Sequence, residues 1–333
     1  MRITNEILLK LAKDTVARSV KEDRSLLAVY LHGSLLRETA LLGNTADIDL
    51  FYVHNEEVRV DREIIRITDD VHLDIAHHSH KVYRQPRELR QHPWLGPVIN
   101  GCKILYDPQH FLDFAQASVR GQFNRPDQVL GRISSLSEHA RQIWLGFHLE
   151  PKEPNAQDVL KYLRAIEHAA NALAGISGPP LTERRFLLDL PSRMDVVQRH
   201  GLYAAVLGLL GAPLVDAETL RAWLPAWQAA YTSIPETRTP IKLHPHRLLY
   251  YQHAIETILS SERFQDALWP LWHTWTLAVS VLPEESAQHA AWSDAGQHLG
   301  LLGVGFSERI RALDAFLDTV EDTQETWARE NGA

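Results

Sequence analysis

The feature that most limits how this chain can fold is an asymmetry: every short β-rich run lies before residue 108, and beyond it apolar residues recur at helical spacing. Leu27-Ala28-Val29-Tyr30-Leu31 stops at Gly33, and a second apolar run covers residues 48–53. Residues 63–68 and 71–76 flank Asp69-Asp70, which predicts an antiparallel hairpin across a two-residue turn. Ile104-Leu105-Tyr106-Asp107-Pro108 is the last such run. Ahead of them Thr4 or Asn5 can cap a helix over 4–22, with Ile7, Leu8, Leu11, Val16 and Val20 at helical spacing. Later helices are predicted over 156–174, 181–189, 195–210, 217–231, 246–260, 264–281 and 306–328, parted by breakers such as Gly178-Pro179-Pro180 and Leu243-His244-Pro245. Strands with helices first and helices alone afterwards predict an α+β class. A small mixed β-sheet with flanking helices is expected over 1–108, then an α-helical bundle over 109–333 that completes a cleft.

A length of 333 residues fits two domains, and 45% hydrophobic with 23% charged residues is an ordinary globular composition. Lys plus Arg number 34 and Asp plus Glu 42, a net charge of −8. That balance argues against general nucleic-acid binding while leaving room for a local basic cleft. The single cysteine, Cys102, excludes an internal disulfide and fits a reducing compartment. No apolar stretch approaches the length of a membrane span. The start, Met1-Arg2-Ile3-Thr4-Asn5-Glu6, lacks the apolar core of a secretory signal. No membrane partner and a cytoplasmic location are therefore expected.

The chemistry concentrates in His32-Gly33-Ser34-Leu35-Leu36-Arg37, Ala46-Asp47-Ile48-Asp49-Leu50 and Leu73-Asp74-Ile75. Alternate side chains of a strand share a face, so Asp47 and Asp49 point the same way. Two carboxylates that close repel unless cations lie between them, and Mg²⁺ favours one or two carboxylates together with substrate phosphates. Asp74, midway along a neighbouring strand, can point to the same side, and three carboxylates on adjacent strands can hold two metal ions about a phosphoryl centre. Gly33 directly follows a strand, where a missing Cβ lets backbone approach a phosphate. Ser34 adds a hydroxyl and an amide, a helix is expected to start there, and Arg37 one turn in offers a cation to a triphosphate.

These residues resemble the polymerase-β-like nucleotidyltransferase superfamily, with its strand, Gly-Ser, helix, Asp-x-Asp and a third acid on a later strand. The Gly-Ser-x-x-Arg form of Gly33-Ser34-Leu35-Leu36-Arg37 is similar to bacterial antibiotic (aminoglycoside-type) nucleotidyltransferases. The motif-level likeness spans about residues 27–107 and is architectural beyond them. Many members carry Ser where this chain has Ala46. The resemblance implies that Asp47 and Asp49 bind two Mg²⁺ ions, that Asp74 supports one metal or acts as base, and that Ser34 holds phosphate. It implies transfer of a nucleoside monophosphate from an NTP, expected to be ATP, to a hydroxyl of a small-molecule acceptor such as an aminoglycoside-like antibiotic, releasing pyrophosphate. The competing expectations are nucleotidylation of RNA or a protein, and a non-catalytic nucleotide-binding regulator.

In the helix over 156–174, Leu160, Leu163, Ile166, Ala170 and Leu173 make an apolar stripe, and Lys161, Arg164, His168 and Asn171 the opposite one. That second stripe is either a solvated face or the source of a cation, Lys161 or Arg164, that crosses to the triphosphate. Arg184 and Arg185 are alternatives for that role, and Glu167, between the stripes, is a candidate general base. His77-His78-Ser79-His80 and His244-Pro245-His246 lack zinc-site spacing and are expected to be polar loops. The nine tryptophans, mostly beyond residue 222, are expected in helix packing, with one or two available to an acceptor pocket. Acceptor identity, nucleotide preference and oligomeric state are not encoded in any readable motif.

Overall fold

The computed structural model describes residues 3–37 and 41–333. Its strands are β1 (Leu26–His32), β2 (Ala46–His54), β3 (Arg62–Arg66), β4 (Val71–Ser79) and β5 (Lys103–Tyr106). They form one five-stranded sheet in the order β3-β4-β2-β1-β5. β2 and β4 run parallel, and β3–β4, β1–β2 and β1–β5 pair antiparallel, so the sheet is mixed. The hairpin expected across Asp69-Asp70 is the β3–β4 pair, and no described residue after β5 lies in a strand. The fold is α+β, a sheet with covering helices followed by an all-helical part.

Strand alternation gives the sheet two apolar faces. One face, with Val29, Leu31, Ile48, Leu50, Leu73 and Ile75, is covered by the helix Asn5–Glu22 through Leu8, Ala12 and Val16. Thr4 caps that helix by accepting from the Ile7 amide. The other face, with Ala28, Tyr30 and Val53, meets helices Pro86–Gln91, Leu95–Gly101 and Phe111–Arg120. Packing against the sheet thus continues through Leu112, Ala115 and Val119 to Phe123, past residue 108.

The largest core belongs to the helical part. Its centre is the helix Ala156–Ser177, started by a reciprocal cap between Asn155 and Asp158 and packed against helices Pro126–Leu149, Leu268–Val279 and Phe306–Asn331. Packing on both sides buries more than one stripe. Lys161 and Arg164 are exposed, but Asn171, expected on their face, is fully buried and bonds the Leu181 amide and the Glu167 carbonyl. Trp227, Trp269, Trp272 and Trp275 are fully buried in this core, as helix packing predicts.

Several elements differ from the expectation. After Gly33-Ser34 there is a single 3-10 turn, Ser34–Leu36, and Arg37 is extended; any continuation falls at 38–40, outside the described residues. The helix expected over 195–210 is two elements, Phe186–Val196 and Gly201–Leu209, because the chain turns at Gln198 with φ +56°. Residues 181–189 and 264–281 each begin as a 3-10 turn before the α-helix. The helix Pro126–Leu149 escapes a propensity reading because Gly131 and Ser134-Ser135 dilute it, although Val129, Ile133, Leu136 and Ala140 are buried at helical spacing. Gln288–His298 escapes it too. His77 and Ser79, expected in a loop, end β4, because the parallel pairing with β2 runs on to His54. Among the described residues no helix is long and apolar enough to cross a membrane.

Candidate functional site

The parallel register sets Asp49 of β2 directly opposite Asp74 of β4, and Asp47 opposite His72. On the other side His32 of β1 pairs with Asp49. The three acids therefore share one face of the sheet, the face that carries the stacked Tyr30 and Phe51. Asp47 and Asp74 are buried, at 3% and 2% exposure, and Asp49 alone keeps an opening to solvent.

Two guanidiniums reach this cluster. Arg62 of β3 donates from Nε and Nη2 to the two oxygens of Asp74, at 2.5 and 2.7 Å. Arg247 Nη2 donates to Asp47 Oδ2 at 2.8 Å and also to Asp74 Oδ2. Arg247 comes from the 3-10 turn Pro245–Arg247, which leads into helix Leu248–Leu259 two hundred residues beyond Asp47. His244-Pro245-His246, expected as an unremarkable loop, thus introduces a residue buried in the acid cluster.

The charges are unequally balanced. Burial opposes ionisation of Asp47, but Arg247, with His72 and Arg184, holds its pKa below the ordinary value. The Asp49 carboxylate forms no hydrogen bond or ion pair among the described residues. Burial, then the neighbouring Asp74 and Asp47, push its pKa well up. Burial and then Arg37 pull His32 down to about 4, so the imidazole beside Asp49 is neutral near pH 7. Asp47 Oδ1 is buried without a hydrogen-bond partner, and the nearest His72 nitrogen is 3.6 Å away.

Gly33 adopts φ +88°, ψ −158°, a conformation that favours glycine. A Cβ built there would stand 1.9 Å from Asp49 Oδ2. The missing side chain therefore makes room for the Asp49 carboxylate itself. Gly33, Arg37, Asp49 and Arg62 open together on a cleft of about 630 Å³, whose far wall includes Trp94, Arg132 and residues 175–182. Trp94 is the tryptophan that reaches this cleft, beside Phe51 and Phe123; no sequence signal distinguished it.

The other expected residues are more scattered. Ser34 opens the 3-10 turn beside Gly33. Arg37 faces the cleft but pairs with Asp189 of the helical part at 2.8 Å. Arg184 is buried, stacked 3.2 Å over the Tyr250 ring and bonded to Leu42 O, Thr45 Oγ1 and Tyr250 O. It pins the loop entering β2, and Arg185 bonds Leu41 O. Lys161 lies 3.6 Å from Asp158, and neither it nor Arg164 or Glu167 lines the cleft. Glu167 acts on Lys242, whose pKa is raised by Glu183 first and by Glu167 as well. His77 belongs to a chain at the opposite end of the strands, with His54 at 2.9 Å and Glu63 at 3.2 Å.

Among the described residues no three His, Cys, Asp or Glu side chains converge as a ready metal set. Cations of the protein occupy the acids instead: Arg62 takes both oxygens of Asp74, and Arg247 bridges Asp74 to Asp47. What is left still has the chemistry of a hard divalent cation site, namely the unpaired Asp49 carboxylate and the orphaned Asp47 Oδ1. Asp47 and Asp49 fit one such ion. A second ion through Asp74 requires a guanidinium to leave.

The fold and site thus define a mixed-sheet domain with an acid cluster at a cleft shared with a helical part. No protein-family model matches the chain. No curated protein matches it closely enough to count as a relative.

Proposed function

We propose that this chain is a Mg²⁺-dependent nucleotidyltransferase of the polymerase-β-like kind, moving a nucleoside monophosphate from an NTP, ATP first among them, to a hydroxyl of a small molecule. The observation that carries this reading is the register: Asp47 and Asp49 share a face with Asp74 directly beside Asp49, and the Gly33-Ser34 turn lies against them at the mouth of a cleft.

The cleft border supports a polyanionic substrate. Arg37 pairs with Asp189 at 2.8 Å, and Asp189 acts on Arg185 and Arg193 as well. Burial is the main cause of the lowered pKa of Arg185 and Arg193, with Arg37 adding to it. Arg37, which lines the cleft, is the cation placed to meet a triphosphate.

Asp47 and Asp49 would hold the divalent ion, which when bound acidifies the acceptor hydroxyl and screens the phosphates. Ser34 and the turn amides orient the phosphates, and Arg37 at the cleft edge offers a cation to the outer ones. The walls, with Trp94, limit water about the reacting groups. The acceptor oxygen bonds to the α-phosphorus as the bond to the bridging oxygen breaks, and pyrophosphate carries away the electron pair. The hydroxyl proton passes to a base or to solvent.

The test is incubation with Mg²⁺ and each NTP radiolabelled at the α-phosphate, with small-molecule, RNA and protein fractions supplied separately. Label on small molecules, lost in Asp49→Asn, supports the proposal. Label on RNA or protein moves the acceptor to a macromolecule. One observation favours a second reading, a nucleotide-binding regulator: the guanidiniums already neutralising Asp47 and Asp74. Metal-dependent nucleotide binding with no transfer to any fraction would establish it.

A further inference from the structure

Arg132 stands on the second turn of helix Pro126–Leu149 and lines the same cleft as Asp49. It is 4% exposed. Nη1 donates to Arg90 O at 2.6 Å, and the guanidinium lies 3.8 Å over the Phe123 ring. No carboxylate pairs with it among the described residues, whereas Arg37 has Asp189 and Arg62 has Asp74. Burial alone lowers its pKa, to about 10, so it stays charged at neutral pH. A buried cation without a counter-ion is costly to keep, and the open side of this one faces the cleft. Trp94, Val98 and Phe123 give that end of the cleft an apolar surface.

The balance across the cleft points the same way. Among the described residues Arg37, Arg62 and Arg132 line it with one acid, Asp49; Arg37 and Arg62 already hold Asp189 and Asp74, which leaves Arg132 as the uncompensated cation. A polycation such as an aminoglycoside would meet the unpaired Arg132 there, and like charges at close range raise the energy.

We propose that Arg132 binds the anionic group of the acceptor, so that the acceptor is a small molecule joining a carboxylate or phosphate to an apolar ring. The assignment rests on the nucleotidyltransferase reading of the cleft and narrows it, replacing the expected cationic antibiotic with an anionic acceptor.

The test is calorimetric titration of the full chain with Mg²⁺ and a non-hydrolysable ATP analogue, using phenyl phosphate, benzoate and kanamycin as probes. Phenyl phosphate or benzoate binds and kanamycin does not, and the better of the two anions says which group is preferred. Arg132→Met weakens that anion by about tenfold or more, the loss of a charge-assisted hydrogen bond. The affinity for the analogue is unchanged. Arg132→Lys keeps a cation without the planar fork and gives an intermediate loss; it carries the test if the Met variant does not fold. Kanamycin binding in place of the anions overturns the proposal, as does equal anion affinity in the variants. Equal weakening of the analogue also overturns it, by moving Arg132 to the nucleotide. If the analogue does not bind at all but the anion does, the nucleotidyltransferase reading fails and the anion site stands.

Discussion

The sheet part and the helical part carry opposite imbalances where they meet. The sheet brings Asp47, Asp49 and Asp74 together with one cation of its own, Arg62. The helical part delivers Arg247 into that cluster, and Arg184 behind it. In return Arg37 of the sheet part pairs with Asp189 of the helical part, and Arg132 has no carboxylate partner among the described residues. Each part is therefore electrostatically incomplete alone, and the cleft between them is where the deficits are exposed. A site of this kind is held together by long-range ion pairs, and its counter-ions are the groups a ligand must replace.

The sharpest way to break this comparison is Arg247→Ala. It leaves Asp47 and Asp74 buried without their shared cation, and should cost about 3–5 kcal/mol in urea denaturation. Mg²⁺ should raise the midpoint of this variant more than that of the unaltered chain. An unchanged midpoint would mean that the helical part does not neutralise the acids.

Asp49→Asn should move stability and activity in opposite directions. Because the folded-state pKa of Asp49 is raised above 3.8, its contribution is fully present below that pH and is lost as pH rises through the folded value. The Asn variant should melt higher at alkaline pH and indistinguishably at strongly acid pH, while transfer falls by about a hundred- to a thousandfold. Asp47 has the opposite sign: its lowered pKa gives stability that is present above 3.8 and lost as pH falls through the folded value, so Asp47→Asn should lose its penalty in acid.

Arg62→Gln is a smaller perturbation. The Arg62 side chain is 44% exposed, so solvent screens the pair and the expected loss is about 1 kcal/mol by thermal or chemical melt. A loss as large as that of Arg247→Ala would show that the sheet supplies its own charge balance. Smallest of all are Lys161→Ala and Arg164→Ala, which should leave transfer within about twofold, since neither side chain lines the cleft. A large loss in either would place a cation from Ala156–Ser177 across the cleft.

What the sequence made legible was local. Strand alternation put Asp47 and Asp49 on one face, and the hairpin across Asp69-Asp70 located Asp74. Arg62 was within reach of the same reasoning: Ile64 pairs with Asp74, so the side chain two residues earlier shares its face. Arg247 was not, because two hundred residues of helical chain separate it from Asp47 and no periodicity encodes that contact. Arg184 misled for a related reason. A cation after a breaker suggests a ligand contact, but its partners Thr45 and Tyr250 lie far away in the chain, and only the packed fold shows that they consume it. Arg37 was placed at the cleft by its position after the turn, but its pairing with Asp189, over a hundred and fifty residues on, was not legible.

The close approach of Gly33 to Asp49 also shapes how a duplicated copy of this gene would decay. Position 33 is fixed twice, by a backbone angle that favours glycine and by the carboxylate that fills its missing side chain. Enlarging either residue breaks the fold locally, and selection for folding removes such changes. Asn at position 49 matches Asp in size, lacks its charge, and relieves the repulsion from Asp47 and Asp74. Under the proposed nucleotidyltransferase reading, the easiest first step away from chemistry is therefore Asp49→Asn, which removes the charge while the glycine turn and the cleft stay as they are.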